Sequence, residues 1–151
     1  KEAVKNVDLI QENAPENESL KIKIIKEISE NAKKNIIIAS SSSGLLPSKI
    51  QSQCLNPKRL IIAHPFNPVY LLPLVELVPG KKTDKKFINK ADKFYSNIGM
   101  KTLILKKLSL LAKKTPSCKS PSLSILALRP ASLNFCTVPH SKTPALILAN
   151  T

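Results

Sequence analysis

The chain has 151 residues, a length typical of one domain with a core of its own, and 42% of its residues are hydrophobic. Its formal net charge is +14 at pH 7. No apolar run is long enough to span a membrane and no secretory leader is present, so we expect a cytoplasmic protein. The three cysteines, Cys54, Cys118 and Cys136, are far apart, which argues against a disulfide framework and against a metal site.

The positive charge is unevenly distributed along the chain. All ten acidic residues lie within residues 1–100, whereas residues 101–151 have basic side chains and no acidic ones. Clustered lysines can bind nucleic acid or an anionic membrane. However, aromatic residues make up only 4% of the chain and no recognition motif is present, so we expect neither nucleic acid nor a membrane as partner.

The first hundred residues alternate between short apolar runs, typical of buried strands, and amphipathic helical segments. The predicted strands are VDLIQE (7–12), NIIIAS (35–40), KRLIIAHP (58–65), LVELVPG (74–80) and KTLILK (101–106). Helices are predicted over 14–35, near Pro47, and over 83–99, the last capped by Thr83 and ended by Gly99. This alternation predicts an α/β fold with a mostly parallel sheet.

Polar side chains follow three of the predicted strands. The three clusters are residues 12–15, 40–43 and 64–67. Parallel sheets bind ligands beyond the carboxyl ends of their strands. We therefore expect these clusters to converge at one edge of the sheet.

His64 and Glu76 stand out because their surroundings in the sequence are apolar. An imidazole titrating near neutrality is suited to removing the proton of an alcohol. A carboxylate in a buried strand needs a partner, and Glu76 lies twelve residues after His64. The sequence favours a general base held by a carboxylate. A structural histidine beside a proline, and a glutamate solvated on an edge strand, are the alternatives.

Three segments, VDLIQENAPE, IIASSSSGLLPSKI and AHPFNPVYLLPLVELVPG, together resemble the 3-hydroxyacyl-CoA dehydrogenase family, at the second half of its Rossmann-type NAD-binding domain. The resemblance covers about residues 1–107 and is strongest to the carnitine branch, with the lambda-crystallin (L-gulonate dehydrogenase) branch next. It implies an oxidoreductase that converts an L-3-hydroxy group into a ketone with NAD as cofactor. It also implies a homodimeric parent enzyme in which His64 and Glu76 form the catalytic pair.

The resemblance implies further contacts at four positions. Asn67 would donate to the substrate oxygen or to the nicotinamide carboxamide, and Ser43 would contact substrate and cofactor. Glu16 and Lys21 match positions near the ribose of the cofactor. Without the resemblance, Ser43 belongs to a run of serines that a flexible turn explains, and Glu16 and Lys21 are ordinary helix charges.

Two features of a complete enzyme are missing from the sequence. The chain has three isolated glycines and no Gly-rich turn for a pyrophosphate, so we expect the first βαβ half of the domain to lie outside it. Residues 108–151 contain five prolines and are rich in serine and leucine, which excludes long helices. They predict an irregular tail, either disordered or the frame-shifted translation of a helical domain.

The predicted function is NAD-dependent oxidation of L-carnitine to 3-dehydrocarnitine by the parent enzyme. L-Gulonate and a 3-hydroxyacyl-CoA are the other candidate substrates. We expect weak or no activity from this chain alone. An inactive remnant that serves only as a binding scaffold is the alternative of a different class.

Overall fold

The computed structural model describes residues 2–105 and, as strands, residues 124–128, 135–140 and 143–148. Within residues 2–105 the elements are a 3-10 turn (Glu2–Val4), β1 (Leu9–Asn13), α1 (Glu18–Asn31), β2 (Ile37–Ser40), α2 (Pro47–Ile50), two further 3-10 turns (Gln51–Gln53 and Pro57–Arg59), β3 (Leu60–Pro65), β4 (Leu74–Pro79), α3 (Lys85–Asn97) and β5 (Lys101–Ile104). All five predicted strands and the three predicted helices are confirmed.

The five strands form one sheet in the order β5-β4-β3-β2-β1. Among these five strands the pairs β1-β2, β2-β3 and β4-β5 are parallel, and only the β3-β4 pair is antiparallel. The predicted mostly parallel α/β sheet is therefore confirmed. The antiparallel pair is the exception that brings residues of β3 and β4 directly opposite each other.

The sheet has an apolar core on each face. Ile10 and Ile38 pack with residues of α1 and α2, whereas their neighbours Leu9 and Ile37 pack with Phe87 and other residues of α3. Successive strand residues point to opposite faces, so the continuous apolar runs of β1 and β2 fill both cores. Helices on both faces are the layering expected of a Rossmann-type domain.

The carboxyl end of α1 is closed by a buried arginine from the turn before β3. The guanidinium of Arg59 donates to the backbone carbonyls of Ser29, Ala32 and Lys33, and the residue is 1% exposed. The last carbonyls of a helix have no partner within the helix and carry partial negative charge. Arg59 therefore satisfies these acceptors and fixes α1 against β3.

The ends of α3 confirm one prediction and correct another. Gly99 follows the helix with φ of +87°, a conformation that side chains disfavour. The predicted cap Thr83 is wrong, because Asp84 is the N-cap and its carboxylate accepts from the Lys86 amide. The Thr83 hydroxyl instead donates to the Leu60 carbonyl, which ties the turn before α3 to β3.

Three more strands extend the sheet beyond β1. They are β6 (Ser124–Leu128), β7 (Phe135–His140) and β8 (Thr143–Leu148), in the order β1-β6-β8-β7, with β6 antiparallel to β1. The sequence predicts an irregular tail here, yet SILAL and ALIL are short apolar runs of the kind that form strands. The other residues of 108–151 lie outside the described residues, and the disordered or frame-shifted origin of the segment stays a prediction.

Candidate active site

The carboxyl ends of β1, β2 and β3 meet at one edge of the sheet because the three strands are parallel. The Ser40 hydroxyl donates to Glu12 Oε2 at 2.6 Å, which joins the end of β2 to the end of β1. The carboxylate of Glu16 acts electrostatically on His64 at the end of β3. The three polar clusters therefore lie together, as their positions in the sequence predict.

His64 and Glu76 occupy directly opposite positions of the antiparallel pair β3-β4. Opposed residues of such a pair project from the same face, and His64 Nδ1 lies 3.8 Å from Glu76 Oε2. Neither atom has a hydrogen-bond partner among the described residues. The two groups thus face each other at ion-pair distance, slightly beyond a hydrogen bond.

The burial of Glu76 excludes the alternative that this residue is a solvated glutamate on an edge strand. Its side chain is 3% exposed, and β5 covers the other edge of β4, so β4 is not an edge strand. The His64 side chain is 19% exposed. One side of the pair is therefore closed by the protein, whereas the imidazole keeps access to the outside.

The imidazole of His64 is poised as a neutral base. Burial lowers the pKa of His64 below its ordinary value, and the carboxylates of Glu76 and Glu16 oppose this shift without reversing it. A histidine with a lowered pKa is unprotonated at pH 7. It is then in the state required to accept a proton.

We expect this lowered pKa of His64 to make the fold less stable in weak acid. The ordinary pKa is 6.5 and the folded value is lower, so below pH 6.5 the unfolded chain binds the proton first and the free energy of unfolding falls. Urea unfolding at pH 7.5, 6.5 and 5.5 measures this slope. In His64→Gln the contribution is removed and the slope should be shallower; equal slopes in both proteins would contradict the prediction.

Glu16 organises the serine-rich segment after β2. Its Oε1 accepts from the Ser42 hydroxyl at 2.5 Å and from the amides of Ser43 and Gly44 at 3.1 and 2.8 Å. The segment is therefore held by a carboxylate rather than being a loose turn. Ser42 is buried and engaged by Glu16, whereas the half-buried Ser43 hydroxyl has no hydrogen-bond partner in the described part of the chain.

Lys21 is fully buried and is not an ordinary surface charge of the helix. Its ammonium donates to Glu12 Oε1 and Oε2 at 3.0 and 3.1 Å and to the Ala14 carbonyl at 2.8 Å. It also lies 3.8 Å from Glu16 Oε2. Sequence reasoning missed Glu12 as a site residue. Like Glu76, Glu12 is a carboxylate in a buried strand and therefore needs a partner, which is the signal in the sequence that points to it.

Asn67 lies in the segment that joins β3 to β4, immediately before Pro68. The residue is exposed, and its side-chain amide makes no hydrogen bond with residues 2–105. The structure therefore does not join it to His64 by a hydrogen bond. It leaves an amide available to an external partner three residues beyond the imidazole.

The described residues contain neither a membrane-crossing helix nor a metal cluster. No helix among them combines the length and the apolar composition that crossing a membrane requires. The same residues hold no group of three or more histidine, cysteine, aspartate or glutamate side chains arranged to bind a metal ion.

Comparison with known protein families identifies the fold and its cofactor. Residues 1–108 match the model of the family described as 3-hydroxyacyl-CoA dehydrogenase, NAD binding domain. The chain belongs to the 3-hydroxyacyl-CoA dehydrogenase family. NAD is accordingly the cofactor indicated for this member of the family.

Curated relatives of this 3-hydroxyacyl-CoA dehydrogenase family member include two named L-carnitine dehydrogenase. The protein from Bacillus cereus is 53% identical over 103 residues, and that from Staphylococcus epidermidis is 52% identical over 102 residues. Each match covers 68% of this chain and 32% of the relative. The chain thus spans about a third of the length of these relatives.

Solved structures of 3-hydroxyacyl-CoA dehydrogenases share the fold. The (S)-3-hydroxybutyryl-CoA dehydrogenase from Ralstonia eutropha is 33% identical with a TM-score of 0.63, covering 66% of this chain and 35% of that one. The 3-hydroxyacyl-CoA dehydrogenase from Archaeoglobus fulgidus is 26% identical with a TM-score of 0.69, covering 75% and 39%. The Rossmann-type fold predicted from the sequence is therefore confirmed.

Proposed function

We propose that this chain is the second half of the NAD-binding domain of a dehydrogenase that oxidises L-carnitine to 3-dehydrocarnitine. The observation that carries the proposal is the His64–Glu76 pair, with a carboxylate 3% exposed facing an imidazole 19% exposed. The relatives named L-carnitine dehydrogenase support this substrate over L-gulonate and 3-hydroxyacyl-CoA. L-Gulonate and 3-hydroxyacyl-CoA remain the other candidate substrates.

His64 is the proposed general base. Its Nδ1 faces Glu76, so Nε2 is the atom left to take the hydroxyl proton of the substrate. NAD, when bound, would supply the acceptor for the hydride that leaves the carbinol carbon. Taking the proton turns His64 into a cation, and Glu76 stabilises that cation in a poorly solvated site.

The residues of this chain fit one end of NAD. The Ser43 hydroxyl and the Asn67 amide are polar groups without partners in the described part of the chain. Ser43 follows the end of β2, and Asn67 follows the end of the neighbouring strand β3, which carries His64. We assign them to the nicotinamide and the substrate, and Glu16 to the ribose side. Lys21 has its three donors engaged, so we assign it an indirect role.

The pyrophosphate of NAD has no matching cradle in this sequence, whose three glycines are Gly44, Gly80 and Gly99. This supports the expectation that the chain alone has weak or no activity. It also favours the second candidate function, an inactive remnant that binds partners without chemistry. Turnover of L-carnitine with NAD by the purified chain would exclude the remnant.

We further propose that another part of a longer parent protein covers the segment after His64. Tyr70 and Leu71 are 85% and 72% exposed there, which is unusual for large apolar side chains. The relatives are about three times as long as the matched segment, and a parent of that length has further residues that can cover Tyr70 and Leu71. We propose that this parent is a cytoplasmic homodimer.

The proposal is tested by grafting residues 1–105 into the Bacillus cereus relative in place of the matched segment. We expect NAD-dependent oxidation of L-carnitine, with kcat/KM within about tenfold of the host, because the graft restores the missing half. A folded graft without turnover would contradict the dehydrogenase assignment.

A parallel graft into the Ralstonia eutropha enzyme tests the substrate branch. It should retain a smaller fraction of its host's activity, because the segment is adapted to the carnitine branch. A larger retained fraction in this second host would favour the 3-hydroxyacyl-CoA candidate.

A further inference from the structure

A buried ion pair lies behind the proposed active site without touching its surface. Glu12 and Lys21 are both 0% exposed, and Glu12 accepts hydrogen bonds from the Lys21 ammonium, the Ser40 hydroxyl and the Ala14 amide. The ammonium has three donors, and two carboxylate oxygens and one carbonyl occupy them. No donor of Lys21 remains to contact a cofactor directly.

Glu16 connects this ion pair to the surface of the site. One of its oxygens lies 3.8 Å from the Lys21 ammonium, and the other accepts from the amides of Ser43 and Gly44. The Glu16 side chain is 37% exposed, so water competes for it. The buried cation at its inner side adds to the three hydrogen bonds of the other oxygen in fixing the position of this carboxylate.

We propose that Glu12 is a positioning residue that fixes the Lys21 ammonium, through which Glu16 holds residues 42–44 in place at the end of β2, the neighbour of the strand that carries His64. The proposal deepens the proposed function and rests on it for the importance of His64. A buried ion pair adds little stability compared with apolar residues of the same volume. Its effect here is to set where the Glu16 carboxylate lies.

The electrostatics of the site agree with this arrangement. Glu76 from β4 lies opposite His64, and the carboxylates of Glu76 and of Glu16, from the segment between β1 and α1, both raise the pKa of His64 against the effect of burial. Any shift of Glu16 therefore changes the titration of His64. Glu12 thus influences the proposed base without contacting it.

The test is Glu12→Gln in the full 151-residue chain. Lys21 then keeps Glu16 as the only carboxylate within 4.0 Å among the described residues, and it draws Glu16 away from the Ser43 and Gly44 amides. We expect hydrogen exchange of these two amides to accelerate about tenfold relative to the β2 amides. We also expect the pKa of His64, measured by NMR titration, to fall.

The control is Glu18→Gln, which breaks an exposed ion pair of the same helix, 3.1 Å from Lys49. It should change neither the exchange of the two amides nor the His64 titration. A merely structural role of Glu12 predicts faster exchange in β2 and in the 42–44 segment together, with an unchanged His64 pKa. That result would overturn the proposal.

A second variant covers the case in which Glu12→Gln does not fold. The double change Glu12→Gln with Lys21→Met leaves no unpaired charge in the core, yet it removes the cation beside Glu16. Exchange of the Ser43 and Gly44 amides should still accelerate about tenfold relative to β2; unchanged exchange would refute the proposal. Neither readout involves NAD or turnover, so a failure here is distinct from failure of the dehydrogenase assignment.

Discussion

Replacing His64 with glutamine in the Bacillus cereus graft is expected to lower kcat by a factor of about 10²–10⁴, the usual contribution of a general base. Glutamine retains polarity and similar volume but cannot take the hydroxyl proton. KM for L-carnitine should change little, because the loss falls on the proton transfer rather than on binding. Steady-state kinetics of the two grafts measure both constants.

Lys49→Gln in the same graft is the matched control for the loss of His64. Lys49 is exposed, pairs with Glu18 and lies away from the proposed proton transfer, so kcat should be unchanged. If the His64→Gln graft melts at the same temperature as the unsubstituted graft and its kcat stays within threefold of that graft, His64 does not take part in the proton transfer.

Replacing Arg59 with methionine is expected to cost about 3 kcal/mol of unfolding free energy. The change leaves the carbonyls of Ser29, Ala32 and Lys33 without their donor in a buried place, and bonds to a charged group contribute about 1.5–3 kcal/mol. Methionine fills most of the volume, so the loss reports the hydrogen bonds more than a cavity. Urea unfolding measures this loss of unfolding free energy. In thermal unfolding, the Tm should fall by roughly 10 °C or more.

The neighbouring Lys58→Met supplies the comparison for Arg59. Lys58 is exposed at the same turn, and surface substitutions usually change stability by less than about 0.5 kcal/mol. Equal effects of the two changes would mean that Arg59 does not close the end of α1.

The sequence predicts local elements of this fold well because they depend on local pattern. The apolar runs of β1 to β5 are continuous and the helices between them are amphipathic, so their existence does not depend on distant partners. The cap of α3 shows the limit of this approach. Thr83 and Asp84 are adjacent and both are good caps, and the choice depends on the Leu60 carbonyl, which engages Thr83.

Partners that are distant along the chain were harder to predict from the residues alone. Arg59 in the sequence is one basic residue among many, and nothing local reveals that α1 ends against it. Glu12 and Lys21 are nine residues apart, with a turn between them. Spacing suggested the His64–Glu76 pair, but the opposed register follows from the antiparallel β3-β4 pairing, which the apolar runs do not specify.

The antiparallel pairing of β3 and β4 also makes the meeting of His64 and Glu76 local in the chain. Residues 66–73 join the two strands, so His64 meets Glu76 through the closure of one short loop. Short loops close at small entropic cost, whereas a parallel pairing needs a crossover of a dozen or more residues. The closure cost of the His64–Glu76 pair is therefore independent of the lengths of the crossovers between the parallel strands.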